Sequence, residues 1–182
     1  MHFEYSLKTE LPIDIAYQML RDNLYRLSTN MPNVNKIELL ERKETKDKIY
    51  TLNKWYGKNI FPPSIHQFIR LDGIAWLDKA EWSKNEYVCN WSYEPYIFQD
   101  HINAHGRNVY STEGKYTAIN LTGDIHINLE QYPFVVLVPA VTREKIIDES
   151  IDIILLLIKE NFSALIKGLE EYVKENKMIG HA

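Results

Sequence analysis

The chain has 182 residues, 45% of them hydrophobic and 25% charged, with a formal charge of -4. Those proportions exclude a disordered chain, and the mildly acidic balance gives no electrostatic footing for nucleic acid or an anionic membrane surface. One cysteine, Cys89, excludes an internal disulfide and points to a reducing, cytoplasmic setting.

The opening MHFEYSLKTE is charged and alternating, unlike the apolar core of a secretory signal. His2 to Leu11 is predicted as a first strand, alternating through Phe3, Tyr5 and Leu7. Pro12 suits the first turn of a helix, where its missing N–H matters little. Ile13, Ala16, Tyr17, Leu20, Leu24 and Leu27 then recur at helical spacing until the turn formers of "STNMPN". Val34 to Arg42 and Lys48 to Tyr56 flank the charged turn "KETKD" and read as a hairpin. "GKNIFPPSIHQFIRLDG" is an irregular connection. Ile74 to Lys84 and Glu86 to Tyr93 form a second hairpin around "KN". His101 to Thr112 and Lys115 to Glu130 form a third around "EG".

The last of these strands alternates strictly. Ile119, Leu121, Ile125, Ile127 and Leu129 lie on one face, against Asn120, Thr122, Asp124, His126 and Asn128. After Tyr132 the alternation stops, and Phe134 to Val138 run unbroken between two prolines. Val141 to Lys177 is a long amphipathic helix whose apolar stripe steps by three and four through Ile147, Ile151, Ile154 or Leu155, Ile158, Phe162, Leu165, Leu169 and Tyr172. Its longest uninterrupted apolar run, IILLLI, falls far short of the roughly 20 residues a bilayer span needs. Without repeats or low-complexity linkers, 1-182 reads as one α+β domain. In it a curved antiparallel sheet of about seven strands is covered by the terminal helix, with a short helical segment after strand one.

The stretch "YSLKTELPIDIAYQMLRDNLYRLSTNMPNVNKIELLER" resembles the opening of START-like, polyketide-cyclase-like (SRPBCC) proteins, the superfamily that includes the birch-pollen allergen. In those proteins a strand ends in a small-or-Pro turn, a helix carries a central aromatic, and a P-x-V step enters the next strand. Here the matching positions are Pro12, Tyr17, Pro32 and Val34, and Gly123 to Leu129 matches a G-x-I-x-I-x-L last strand before the long helix. The resemblance covers nearly the whole chain in element order but carries no signature residue. It implies a helix-grip fold and an apolar ligand held between sheet and helix, the members including lipid carriers, cyclases, hydrolases and chaperone regulators.

Under that resemblance, the expected chamber lining is Trp55, Trp76, Trp82, Trp91, Tyr93, Leu121, Ile125, Ile127, Leu155 and Phe162. Large aromatics also fill ordinary cores without any guest. Phe61, Tyr132, Phe134 and Val136, in two greasy Pro-rich segments, are expected at a portal, with room for transient membrane contact. The resulting expectation is binding, and by extension transport, of a hydrophobic small molecule or lipid. The alternatives are a cyclase- or hydrolase-like enzyme in the same cavity, or a protein-interaction module with a filled core.

Catalytic signals are thin, and the balance leans away from an enzyme. No nucleophile elbow, Gly-rich phosphate loop or HExxH motif occurs. Cys89 sits mid-strand, a poor place for an activated thiolate. Tyr93, Asn53, Arg107 and His105 are the polar groups a cyclase-like site would draw on. His101 and His105 lie four apart beside Asp100, short of the three or four converging ligands a metal needs. No cofactor and no metal are therefore expected. Asp78 interrupts the apolar face of its strand. Because an unpaired buried carboxylate is expensive, it either sits near the strand end in water or pairs inside the cavity, and the expectation is the solvated position.

Overall fold

The computed structural model describes residues 1–58, 75–96, 101–128 and 140–179. The elements run β1 (His2–Thr9), α1 (Ile13–Asp22), α2 (Leu24–Leu27), a 3-10 turn (Ser28–Asn30), β2 (Val34–Glu44) and β3 (Lys48–Gly57). They continue with β4 (Ala75–Ser83), β5 (Val88–Pro95), β6 (Ile102–Glu113), β7 (Tyr116–Ile127) and α3 (Ala140–Ile179). One seven-stranded antiparallel sheet has the order β1-β7-β6-β5-β4-β3-β2. Strands consecutive in sequence are neighbours throughout, except that β1 and β2 occupy opposite edges. The α1–α2 segment must therefore cross from one edge to the other.

Each element starts and stops for a local reason. Pro12 caps α1, its carbonyl accepting from Ala16 N at 3.0 Å, and it needs no N–H to donate. Asn23, outside the helical region at φ -126°, separates α1 from α2, so the single helical segment expected from periodicity is two. Gly114 turns the β6–β7 hairpin at φ 62°, where a Cβ would be strained. Bulges fall in β2 alone, between Val34 and Lys36 and between Leu39 and Glu41, on an edge strand. From β3 through β7 the register is continuous, so inward and outward faces alternate without interruption.

Helix α3 lies along the inner face, and its two halves are held differently. From Phe162 onward its stripe is buried through Leu165, Ile166, Leu169 and Val173. Polar ties fix this half. Thr9 Oγ1 donates to Glu170 Oε1 at 2.6 Å, and Arg26 Nη1 donates to Tyr172 Oη at 2.8 Å. The 3-10 turn presses against Gly168, where an added Cβ would stand 2.2 Å from Asn30 Nδ2. Earlier in the helix, Ile154, Leu157 and Ile158 face the sheet yet stay only half-buried. Among the described residues no helix is long and apolar enough to cross a membrane.

Candidate ligand-binding cavity

Registry across the sheet stacks the inner-face residues in rows. One row is Ile49, Trp82, Cys89, Asn108 and Leu121; the next is Thr51, Ala80, Trp91, Gly106 and Gly123; the third is Asn53, Asp78, Tyr93, Ala104 and Ile125. Beyond them Trp55 pairs with Trp76. Successive rows are about 7 Å apart along the strands. Between these rows and the half-buried part of α3 lies a cavity of about 270 Å³. Its far wall is Ile154, Leu157, Ile158, Asn161, Phe162 and Leu165, and Leu20 and Leu24 close one end.

Aromatic rings make most of the sheet wall. Trp55 stacks on Trp76 at 5.6 Å, Trp91 stacks on Tyr93 at 4.9 Å, and Trp55 tilts against Tyr93 at 6.3 Å. Two glycines seat Trp91. A Cβ on Gly106 would lie 2.3 Å from the Trp91 ring and 2.2 Å from the Thr122 carbonyl, and one on Gly123 would lie 2.8 Å from the same ring. The indole therefore lies over Gly106 and Gly123, and its Nε1 donates to Asn108 Oδ1 at 2.9 Å. At the other end Tyr17 reaches from α1, its hydroxyl 2.6 Å from the Val88 carbonyl and 2.8 Å from that of Ser83. Its ring meets Trp82, Tyr87 and Tyr110 edge-on.

Asp78 is the exception in this wall. It is 4% exposed, and both donors that reach it, Asn53 Nδ2 and Trp55 Nε1, bond to Oδ2 at 3.2 Å. Neither donor reaches Oδ1, and Asp78 is among the residues that line the cavity. Burial pushes the carboxyl up to about 6, the two hydrogen bonds holding it back only in part. The expected solvated Asp78 is thus corrected. With no bulge in β4, its even position points inward, and donors two and four positions short of Gly57 on β3 make that tolerable. Beside it on β5, burial and then the Asp78 charge push the Tyr93 phenol well up, and the same two causes act on the Cys89 thiol. Tyr110 Oη is buried without a hydrogen-bond partner among the described residues.

No protein-family model and no curated protein matches the sequence. Solved structures do match. A protein of Thermus thermophilus aligns over 97% of this chain and 99% of its own, at 19% identity and a TM-score of 0.63. The Zhui aromatase/cyclase from Streptomyces sp. R1128 aligns over 96% and 93%, at 14% identity and a TM-score of 0.63. Ara h 8.0201 aligns over 96% and 98%, at 13% identity and a TM-score of 0.57.

The chain has the helix-grip fold. The resemblance read from its opening stretch and its last strand holds at that level, and the seven strands, the short early helix and the long terminal helix all appear.

The helix-grip frame gathers most of the expected lining. Trp55, Trp76, Trp82, Trp91, Tyr93, Leu121, Ile125 and Phe162 all border the cavity. Ile127 and Leu155 do not. Ile127 ends β7, past the last enclosed row, and Leu155 sits on the flank of the α3 stripe rather than its centre. Of the polar groups, Tyr93 borders the cavity and Asn53 backs Asp78, whereas His105 and Arg107 are exposed on the outer face of β6. The expected portal residues Phe61, Tyr132, Phe134 and Val136, and Asp100, lie outside the described residues. His101 Nδ1 lies 2.8 Å from the Asn128 carbonyl, and no cluster of three metal-ligating side chains occurs among the described residues. The sequence reading missed Asn108 and Tyr110 as cavity-facing groups. Both lie at even positions of β6, in phase with Ala104, and that periodicity was the available signal.

Proposed function

We propose that this helix-grip domain binds an apolar small molecule or lipid-like guest in the cavity between sheet and α3, and that it does so as a carrier. The observation that supports this most is the half-buried front of α3 facing an aromatic wall across about 270 Å³. An apolar cavity of roughly 150 Å³ already admits benzene. Surface removed from water on both partners would supply most of the affinity, at about 25 cal/mol per Å² before ordering costs. The rigid sheet wall, with Trp91 seated on glycines and tied to Asn108, limits those costs. A protein-interaction module with a filled core draws no support from such an open centre.

A second reading, a cyclase-like enzyme, draws on Asp78 and Tyr93 standing side by side in the wall and on the likeness to the Zhui aromatase/cyclase. General acid–base chemistry favours a carboxyl poised near neutrality. Against it, the polar groups cluster on one wall, and among the described residues the helix opposite adds only Asn161, whose Oδ1 already accepts from Asn33 N. Protein purified from its own cells, examined by native mass spectrometry and organic extraction, separates these readings. The carrier reading expects one unmodified apolar molecule per chain, recovered intact after incubation. Extraction of nothing, together with no uptake of fluorescent apolar probes, would overturn it; conversion of the extracted molecule would favour the enzyme.

A further inference from the structure

Resting on the cavity reading above, we infer that the guest carries a protonated amine, and that Asp78 is its counter-ion. Three features of the wall converge on this chemistry.

The first is the unfinished pairing of Asp78. Its two donors, Asn53 and Trp55, are neutral and both serve Oδ2, neither reaches Oδ1, and the residue itself lines the cavity. A carboxylate buried this deeply is ordinarily paired with a cation. None is at hand, because no Lys, Arg or His lines the cavity among the described residues. The second is the surrounding rings. Trp55, Trp76, Trp91 and Tyr93 form a connected stack in the same wall. Aromatic faces attract a cation held against them, and burial strengthens the attraction. The third is exclusion. A guest bearing a carboxylate would set a second negative charge against Asp78, with no cation among the described lining residues to compensate, so fatty-acid-like guests are disfavoured.

The titratable neighbours of Asp78 leave its charge dominant. From β5 these are Tyr93 and Cys89, both pushed up and therefore neutral, and from β6 it is Tyr110, likewise pushed up by burial. The described residues of β3, β7, α1, α2 and α3 put only uncharged side chains on the cavity. Binding of an amine then requires Asp78 ionised. Its affinity should be constant above the carboxyl's value of about 6 and fall about tenfold per pH unit below it.

The test uses three probes sharing one apolar body: 2-(1-naphthyl)ethylamine, 2-(1-naphthyl)ethanol and 1-naphthylacetate, titrated calorimetrically into the full chain at pH 8. The amine should bind at least tenfold more tightly than the alcohol, and the acid most weakly. In Asp78→Asn the amine's advantage should disappear while the alcohol's affinity stays within about threefold, since that variant keeps an acceptor for Asn53 and Trp55. The unmodified protein provides a second readout: between pH 8 and pH 5 the amine should weaken about tenfold and the alcohol should not change. An alcohol or acid that matches the amine, an advantage that survives in Asp78→Asn, or a pH-independent amine would each overturn the inference and leave the cavity reading intact. Failure of all three probes to bind would overturn both.

Discussion

Replacing Asp78 with Asn should stabilise the ligand-free protein, and by an amount that depends on pH in a defined direction. Burial raises the carboxyl from 3.8 to about 6. A native pKa above the unfolded one means that the folded state binds the extra proton between those values. The stability this proton provides is complete below pH 3.8 and is lost as pH rises toward 6. At about 1.4 kcal/mol per pKa unit, the ionised carboxylate costs the fold about 3 kcal/mol once that window has passed. Asparagine never takes on the charge and can still accept from Asn53 Nδ2 and Trp55 Nε1, but it buries an amide N–H pair at a cost of about 1 kcal/mol. The net gain is about 2 kcal/mol at pH 8, shrinking to nothing or reversing near pH 4. Urea unfolding of both proteins from pH 4 to pH 8 measures the difference directly, and groups common to both cancel. A difference that is flat with pH, or that favours Asp78 at pH 8, would refute the burial of this carboxyl in a wall whose described residues hold no cation. A residue that costs stability in the empty protein is a candidate for function.

Other substitutions test the wall itself. Gly106→Ala would drive its methyl into the Thr122 carbonyl, which cannot move aside, and into the Trp91 ring. It should cost about 2 kcal/mol or more and change the near-ultraviolet circular dichroism of the indole. Gly114→Ala meets open space and should cost only about 1 kcal/mol, through its left-handed backbone, with the spectrum unchanged. Tyr110→Phe removes a buried hydroxyl that has no partner among the described residues, so thermal unfolding should show it neutral or stabilised by about 1 kcal/mol.

Much of this architecture was readable from alternation alone. The three hairpins fall within a few residues of their expected places, and the helix expected over Val141 to Lys177 spans Ala140–Ile179. Parity decided the inward faces of β4 and β5 correctly, because the bulges that would have inverted it are confined to β2 at the edge. That is why Trp76, Trp82, Trp91 and Tyr93 share the face that borders the cavity. Two kinds of information were missing. Periodicity marks a face but not where enclosure ends, so Ile127, in phase with Ile125, was assigned to a wall it does not reach. Long-range pairing was also invisible. Asp78 looked too costly to bury because Asn53 and Trp55, its donors, lie 25 and 23 residues away across a strand pairing the sequence did not specify. The glycine seat under Trp91 was hidden for a related reason: β6 and β7 read as a hairpin, but Trp91 reaches Gly106 only when β5 pairs with β6, a pairing the sequence did not specify.

The account depends above all on an open, apolar space between the sheet and α3. Fluorescence titration with the uncharged probe N-phenyl-1-naphthylamine tests it, comparing the protein with Ala104→Phe, which inserts a ring from the middle of the sheet wall between Tyr93 and Ile125. The unmodified protein should show saturable one-to-one binding, and the variant, folded by its circular dichroism, should lose it. Absence of binding to the unmodified protein, or equal binding to both, would contradict the account.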